Sequence, residues 1–242
     1  MNPEIYFIAD SHFHPYPNQK NKQRRQLFID FLTEINNKAD RLYILGDLFD
    51  FWFEYKYVVP RYLIDIIAEL QNLSQSGCQI TYIGGNHDFW LYDFFPENGI
   101  EISPTPATIE IGKNKFYLTH GEEAVDSAPF YPLVQKLLRS KITIQLFRML
   151  HPDLAFKIAH IISNMSRERE LTAEQVQKYT RRLITFSQNK FKQGYDRVIM
   201  GHFHIPKLHR EDNKTALCLG DWIQHFTYGQ YKDGTLHLKY FK

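Results

Sequence analysis

Five short segments carry the side chains best suited to chemistry: Asp10-Ser11-His12, Gly46-Asp47-Leu48-Phe49-Asp50, Gly85-Asn86-His87-Asp88, His120-Gly121 and Gly201-His202-Phe203-His204. Carboxylate oxygens offset the charge of a divalent ion, and imidazole nitrogens suit manganese, iron, cobalt or zinc. An Asp-x-His pair at a strand end lets both side chains reach one ion as the chain leaves the sheet. Taken singly, each residue has a plain structural explanation. Asp10 and Asp47 would be turn or cap residues, His120 and His202 hydrogen-bonded core histidines, and Asn86 a left-handed turn before His87. Such explanations do not account for two aspartates, an asparagine and four histidines all standing at strand ends.

The elements that must position these residues are legible as apolar runs. Ile5 to Ala9 precedes Asp10, Leu42 to Leu45 precedes Gly46-Asp47, and Ile80 to Ile83 precedes Gly84-Gly85-Asn86. Phe116 to Thr119 leads into His120, and Val198 to Met200 into Gly201-His202. Between the early strands, Lys22 to Asn36 and Tyr62 to Leu73 carry apolar residues at helical spacing. Alternating strands and helices predict an α/β layered fold, in which a ligand site gathers beyond the carboxyl ends of the strands. From Pro129 to Arg182 the pattern is almost wholly helical, and an insertion is expected over residues 127–192 within a single domain spanning 1–242. Thr215 to Leu219, Ile223 to Tyr231 and Thr235 to Tyr240 read as strands, with Lys232-Asp233-Gly234 as an Asp-Gly hairpin turn.

In order and context, the five segments resemble the signature motifs of the calcineurin-like metallophosphoesterases. The resemblance runs from Asp10 to His204 and implies a layered β-sandwich flanked by helices. It also implies a two-ion centre. Asp10, His12, Asp47 and His204 would hold one ion; Asp47, Asn86, His120 and His202 would hold the other, with Asp47 bridging. Two ions about 3.5–4 Å apart make a water nucleophilic near neutral pH and clamp the oxygens of a phosphoryl group. His87 is similar to the family's non-ligand histidine, which contacts the phosphate and stabilises or protonates the leaving oxygen. Asp50 would accept a hydrogen bond from its other nitrogen and favour the cation. Asp88 reads as a supporting or turn residue. His14, His151, His160, His209, His225 and His237 match no motif.

Within that superfamily, Gly46-Asp47-Leu48-Phe49-Asp50-Phe51-Trp52, Gly85-Asn86-His87-Asp88-Phe89-Trp90 and the helical insertion look like the UDP-2,3-diacylglucosamine pyrophosphohydrolases of lipid A synthesis. The resemblance implies hydrolysis of a nucleotide-linked lipid to UMP and diacylglucosamine 1-phosphate, usually with manganese, under a helical lid that receives acyl chains. Two positions depart from the best-known members, which commonly have arginine at His87 and aspartate at Glu122. Asp126, Tyr131, Ser163 and Arg167, at the ends of the insertion, are expected substrate contacts together with Asn86 and His87. A phosphodiesterase or phosphatase for soluble nucleotides or phosphoproteins is the alternative enzyme. A scaffold of the same fold is disfavoured because all seven ligand positions are filled.

The charge distribution agrees with a lipid-facing insertion. The net charge of +2 is too small to imply nucleic acid, yet residues 130–192 hold twelve lysines and arginines against four aspartates and glutamates, a net of +8. These cations lie among Leu133, Leu137, Leu138, Ile142, Ile144, Leu146 and Phe147, a composition suited to an anionic membrane interface. The same aliphatics would equally serve to pack the insertion onto the sheet. Cys78 and Cys218 form no metal or disulfide pattern, and no apolar run approaches the ~18 residues of a membrane-spanning helix. The N-terminus carries no secretory pattern. A cytoplasmic protein, peripheral on the cytoplasmic face of the inner membrane, is expected; its oligomeric state is not encoded in any motif.

Overall fold

The computed structural model describes residues 3–16, 19–125, 136–166 and 171–241. The chain runs β1 (Ile5–Ile8), α1 (Gln19–Ile35), β2 (Arg41–Leu45), α2 (Ile64–Gln75), β3 (Gln79–Ile83), α3 (Phe94–Glu97), β4 (Ile100–Ser103), β5 (Ala107–Ile111) and β6 (Asn114–Thr119). It continues with α4 (Lys141–Arg148), α5 (Pro152–Ser166), α6 (Ala173–Lys192), β7 (Arg197–Met200), β8 (Pro206–Glu211), β9 (Lys214–Leu219), β10 (Thr227–Lys232) and β11 (Thr235–Tyr240).

The strands form two sheets, ordered β11-β10-β1-β2-β3-β4 and β5-β6-β7-β9-β8. The middle of each is parallel: β1 pairs with β2 and β2 with β3, while β6 pairs with β7 and β7 with β9. Parallel strands need cover on both faces, which is why β1 is buried at all four positions. Alternate residues sort into separate layers. Ile5, Phe7, Tyr43, Leu45 and Ile83 meet Phe116, Leu118, Ile199, Leu217 and Leu219 between the sheets. Tyr6, Ile8, Leu42, Ile44, Ile80 and Tyr82 face outward onto Phe28, Phe31 and Leu32 of α1 and Ile66 and Leu70 of α2. On the far side, Tyr117, Val198, Met200, Ala216 and Cys218 receive Leu183 and Phe191 of α6. Each fully buried Phe, Ile or Leu contributes about 1.5–3 kcal/mol of burial free energy. The result is the layered sandwich with flanking helices that the motif order implied.

The helical run does two things. α6 packs on the second sheet as an ordinary layer helix, with a Thr172–Gln175 capping box at its start. α4 and α5 instead lie against aromatic residues of the loops after β2 and β3. Phe147 of α4 stands 4.7 Å from Phe53 and 5.1 Å from Trp90 between ring centres, and Phe156 of α5 stands 5.6 Å from Phe51. Among the described residues, no helix is long and apolar enough to cross a membrane.

Two sequence expectations change. The strand expected over Ile223 to Tyr231 begins only at Thr227, because the Asp221 carboxylate takes the backbone N–H groups of Ile223, Gln224 and His225 and turns the chain there. β4, β5 and β8 were not foreseen. The Asp-Gly hairpin forms as expected, with Asp233 and Gly234 at φ 50° and 79° between β10 and β11.

Candidate metal centre

Six parallel strands direct their carboxyl ends to one place. Asp10 and His12 follow β1, Asp47 and Asp50 follow β2, Asn86 and His87 follow β3, His120 follows β6, His202 and His204 follow β7, and Asp221 follows β9. Turning a side chain inward immediately after a strand forces the backbone into unusual conformations. Asp10, His12, Asp47, His202 and His204 have φ of 54°, 46°, 53°, 71° and 54°. Positive φ is uncommon outside glycine and collects at functional sites.

The approach of the loops also depends on absent side chains. A Cβ at Gly85 would overlap the Asp47 carboxylate and stand 2.7 Å from the Asp47 nitrogen, and one at Gly201 would stand 2.5 Å from Asp10 Oδ2. The carboxylates are further braced by backbone donors. Asp47 Oδ1 accepts the His87 N–H at 2.9 Å, and Asp10 Oδ2 accepts the His202 N–H at 2.8 Å. Asp88 is wholly buried and serves as a strut: its Oδ1 accepts from the nitrogens of Asp47 (3.1 Å) and Gly85 (2.8 Å), and its Oδ2 from Phe49 N–H and the Tyr82 hydroxyl.

The inward-facing atoms crowd together: His12 and His204 stand just beyond hydrogen-bond range of the carboxylates, whereas His120 and His202 hydrogen-bond Asn86. His12 Nε2 is 3.9 Å from Asp10 Oδ1 and 3.6 Å from Asp47 Oδ2, and His204 Nε2 is 3.6 Å from Asp10 Oδ1. His120 Nε2 is 3.3 Å from Asp47 Oδ2 and 3.0 Å from Asn86 Oδ1, and His202 Nδ1 is 3.2 Å from Asn86 Oδ1. Three groups have candidate ligand atoms all within 4.8 Å of one another: Asp10, His12 and His204; His12, Asp47 and His87; and Asp10, Asp47 and His120. Asp10 Oδ1 and His12 Nε2 are buried without a hydrogen-bond partner among the described residues. Buried polar atoms are almost always satisfied, so two orphans facing each other fit a shared cation. All seven expected ligand residues are thus brought together.

Left to the protein's own charges, the cluster is strained electrostatically. Burial pushes the Asp10 carboxyl up to about 7 and the His12 and His202 imidazoles down to about 4 and about 3. At His120 burial acts in the same direction, but Asp47 and Asp10 outweigh it and raise the imidazole to about 10. His204, also opposed by burial, is raised to about 9 by Asp10 and Asp221. Burial would raise the Asp47 carboxyl, yet the surrounding histidines hold it well below the usual range. A pocket that recruits protons onto two histidines in this way needs positive charge, which divalent ions would supply.

The remaining expectations divide. His87 Nδ1 faces the Asp50 backbone carbonyl at 3.1 Å, whereas the Asp50 carboxylate stands 3.7 Å from His12 Nδ1. The expected His87–Asp50 carboxylate pair is therefore replaced by a carbonyl contact, because the backbone after β2 turns the Asp50 side chain toward β1. Ser163 falls in the last turns of α5; its side chain, and Asp126, Tyr131 and Arg167, lie outside the described residues. Sequence reasoning missed Asp221. It is buried beside His204 and follows Leu219-Gly220, the same pattern that precedes Asp47 in Leu45-Gly46. That repetition was the available signal.

A model of the calcineurin-like phosphoesterase family matches residues 3–206. Curated relatives match over nearly the whole chain. A UDP-2,3-diacylglucosamine hydrolase of Porphyromonas gingivalis is 30% identical, covering 99% of this chain and 98% of that protein. Proteins of the same name from Haemophilus influenzae and Actinobacillus succinogenes are 28% and 30% identical, each covering at least 90% of both chains.

Proposed function

This chain belongs to the calcineurin-like phosphoesterase family and is a metal-dependent hydrolase, and from that premise we propose that it cleaves the pyrophosphate of UDP-2,3-diacylglucosamine. The products are UMP and 2,3-diacylglucosamine 1-phosphate. The observation that carries the substrate is the end-to-end similarity to hydrolases bearing that name. The arrangement of α4 and α5 supports it. Phe51, directly after Asp50, meets Phe147 of α4 and Phe156 of α5, and Trp90, shortly after His87, meets Phe147 and donates its indole N–H at 3.1 Å to the carbonyl of Leu138, just before α4. The loops that carry the chemistry therefore also carry an aromatic floor. Beyond it, Ile142, Leu146, Met149, Leu154 and Ile161 are exposed apolar side chains.

Asp10, His12, Asp47 and His204 hold one divalent ion, and Asp47, Asn86, His120 and His202 hold the other. Bound there, such ions acidify a water and neutralise charge on phosphoryl oxygens. Manganese is the proposed metal; iron, cobalt and zinc suit the same donors. His87 keeps its Nδ1 proton on the Asp50 carbonyl, which aims its other nitrogen at the substrate phosphate and leaving oxygen. Asp88 and Gly85 hold the Asp47 loop in place, and Asn86 offers its amide to substrate oxygens. Asp126, Tyr131, Ser163 and Arg167 are proposed substrate contacts. Residues 127–192 form an insertion whose α4 and α5 receive the acyl chains and rest on an anionic membrane surface at the cytoplasmic face, where exposed aliphatics enter the interface and cations meet headgroups.

The test is turnover by the purified, manganese-loaded protein in detergent. UMP and the diacyl sugar phosphate should be released from the acylated UDP-sugar in strong preference to bis-p-nitrophenyl phosphate. Efficient hydrolysis of the simple diester with the acylated UDP-sugar left intact would overturn the assignment in favour of a general phosphodiesterase. Flotation with anionic vesicles at low salt tests the membrane role; protein that stays at the bottom refutes it.

A further inference from the structure

Three of the four histidines in the centre turn the same ring atom inward. His12, His120 and His204 each direct Nε2 at the Asp10 and Asp47 carboxylates. In each, Nδ1 faces an oxygen behind the ring: Asp50 Oδ1 at 3.7 Å, the Leu45 carbonyl at 2.8 Å and Asp221 Oδ2 at 3.6 Å. A neutral imidazole has one N–H and one lone pair. The Leu45 carbonyl hydrogen-bonds Nδ1, and the two carboxylates, at ion-pair distance, favour a proton on that side of the ring, so each oxygen favours the tautomer that leaves Nε2 free to bind a cation. His202 differs, since its Nδ1 faces Asn86.

Asp221 is held firmly enough to impose this. Its Oδ1 accepts N–H groups from Ile223 at 2.8 Å, Gln224 at 2.7 Å and His225 at 3.1 Å, and its Oδ2 lies 2.9 Å from His225 Nδ1. The next residue, Trp222, donates its N–H to the Asp10 carbonyl at 3.2 Å, which ties the Asp221 turn to the first metal loop. The two halves of the centre are consequently unlike. Behind His12 and His204 stand carboxylates, whereas behind His120 stands a neutral carbonyl, and Asn86 is itself uncharged. Asp47 is common to both halves. A cation among Asp10, His12 and His204 thus meets more negative charge than one among Asn86, His120 and His202.

Building on the two-ion reading above, we propose that Asp221 is a positioning residue for His204 and that, with Asp50, it makes the Asp10–His12–His204 half the tighter metal site, filled first. The experiment is calorimetric titration of the chelator-stripped full chain with manganese chloride, paired with circular dichroism to check folding. Wild type should show two classes of site. In Asp221→Asn, whose amide offers a donor where His204 needs an acceptor, the tight class should weaken by about 10–100-fold while the weaker class is unchanged. His237→Ala, on β11 and outside the centre, should leave both classes as they are. If folded Asp221→Asn binds both ions as wild type does, or loses both equally, the proposal fails. A second measurement needs no variant. Crystals of wild type given less than one equivalent of manganese should show anomalous density beside His204, and a first peak beside Asn86 and His202 overturns the order of filling. Saturation of wild type at a single ion instead refutes the two-ion reading itself.

Discussion

Gly85→Ala damages the centre without removing any ligand, and its effect can be worked from distances. Gly85 is not among the positive-φ glycines, so its backbone accepts any residue and the collision alone decides the outcome. The added Cβ would overlap the Asp47 carboxylate and stand 2.7 Å from the Asp47 nitrogen. A comfortable contact needs about 3.5 Å, so the loops after β2 and β3 must part by about 0.8 Å for the Asp47 nitrogen alone and by more for its carboxylate. Asp47 cannot simply rotate away, because Asp88 and His87 hold it through hydrogen bonds at its nitrogen and its Oδ1. A displacement near 1 Å at reacting groups lowers rates on the order of 100-fold, and overpacking costs about 1–3 kcal/mol of stability. The assay is kcat of the manganese-loaded variant, with urea unfolding alongside. Gly77→Ala is the control: its Cβ meets nothing within 4 Å while its φ is 103°, so it loses stability and keeps activity. If Gly85→Ala kept more than half of wild-type turnover, the claim that Asp47 needs this close approach would be refuted.

Other outcomes are equally specific. Asp47→Ala abolishes turnover and lowers the bound metal measured by elemental analysis, whereas His87→Ala slows turnover with both metals retained. Phe147→Ala, which strips the ring between Phe53 and Trp90, raises KM for the acylated UDP-sugar and leaves bis-p-nitrophenyl phosphate turnover unchanged. Glu4 sits partly buried among Lys232, Tyr6 and Gln230; burial opposes the charged form, but these partners hold its carboxyl below the usual range. A depressed folded value means that the stability is present above the unfolded value of about 4.3 and is lost as pH falls through the folded one. Glu4→Gln therefore lowers urea stability at pH 7 by less than about 1 kcal/mol, and its difference from wild type closes in acid.

The parallel strands were legible because full burial makes them short apolar runs, and the ligand motifs were legible because each follows such a run directly. β5 and β8 escaped because they are edge strands that lie mostly in partial or full exposure, as Ala107–Ile111 and Pro206–Glu211 do, and so carry no continuous apolar run. β4 is short and only two residues separate it from α3. Asp50 was recognised as part of the centre but matched to the wrong neighbour, since a spacing of three residues does not say which way a loop aims its carboxylate. Asp221 was hidden beside an apolar-looking stretch: Ile223 and Phe226 suggested a strand, while the turn there depends on one carboxylate meeting three backbone donors. The helical segment was seen as one unit, yet α6 carries its apolar stripe to the second sheet, while α4 sends Phe147 to the Phe51–Trp90 floor and leaves Ile142 and Leu146 exposed. Periodicity reports a stripe, not its destination.

The two-ion centre bridged by Asp47 is tested most directly by anomalous scattering at the manganese edge from crystals grown with saturating manganese. Two peaks about 3.5–4 Å apart are predicted, one among Asp10, His12 and His204 and one among Asn86, His120 and His202, with Asp47 reaching both. A single peak, or a pair that Asp47 does not touch, contradicts it.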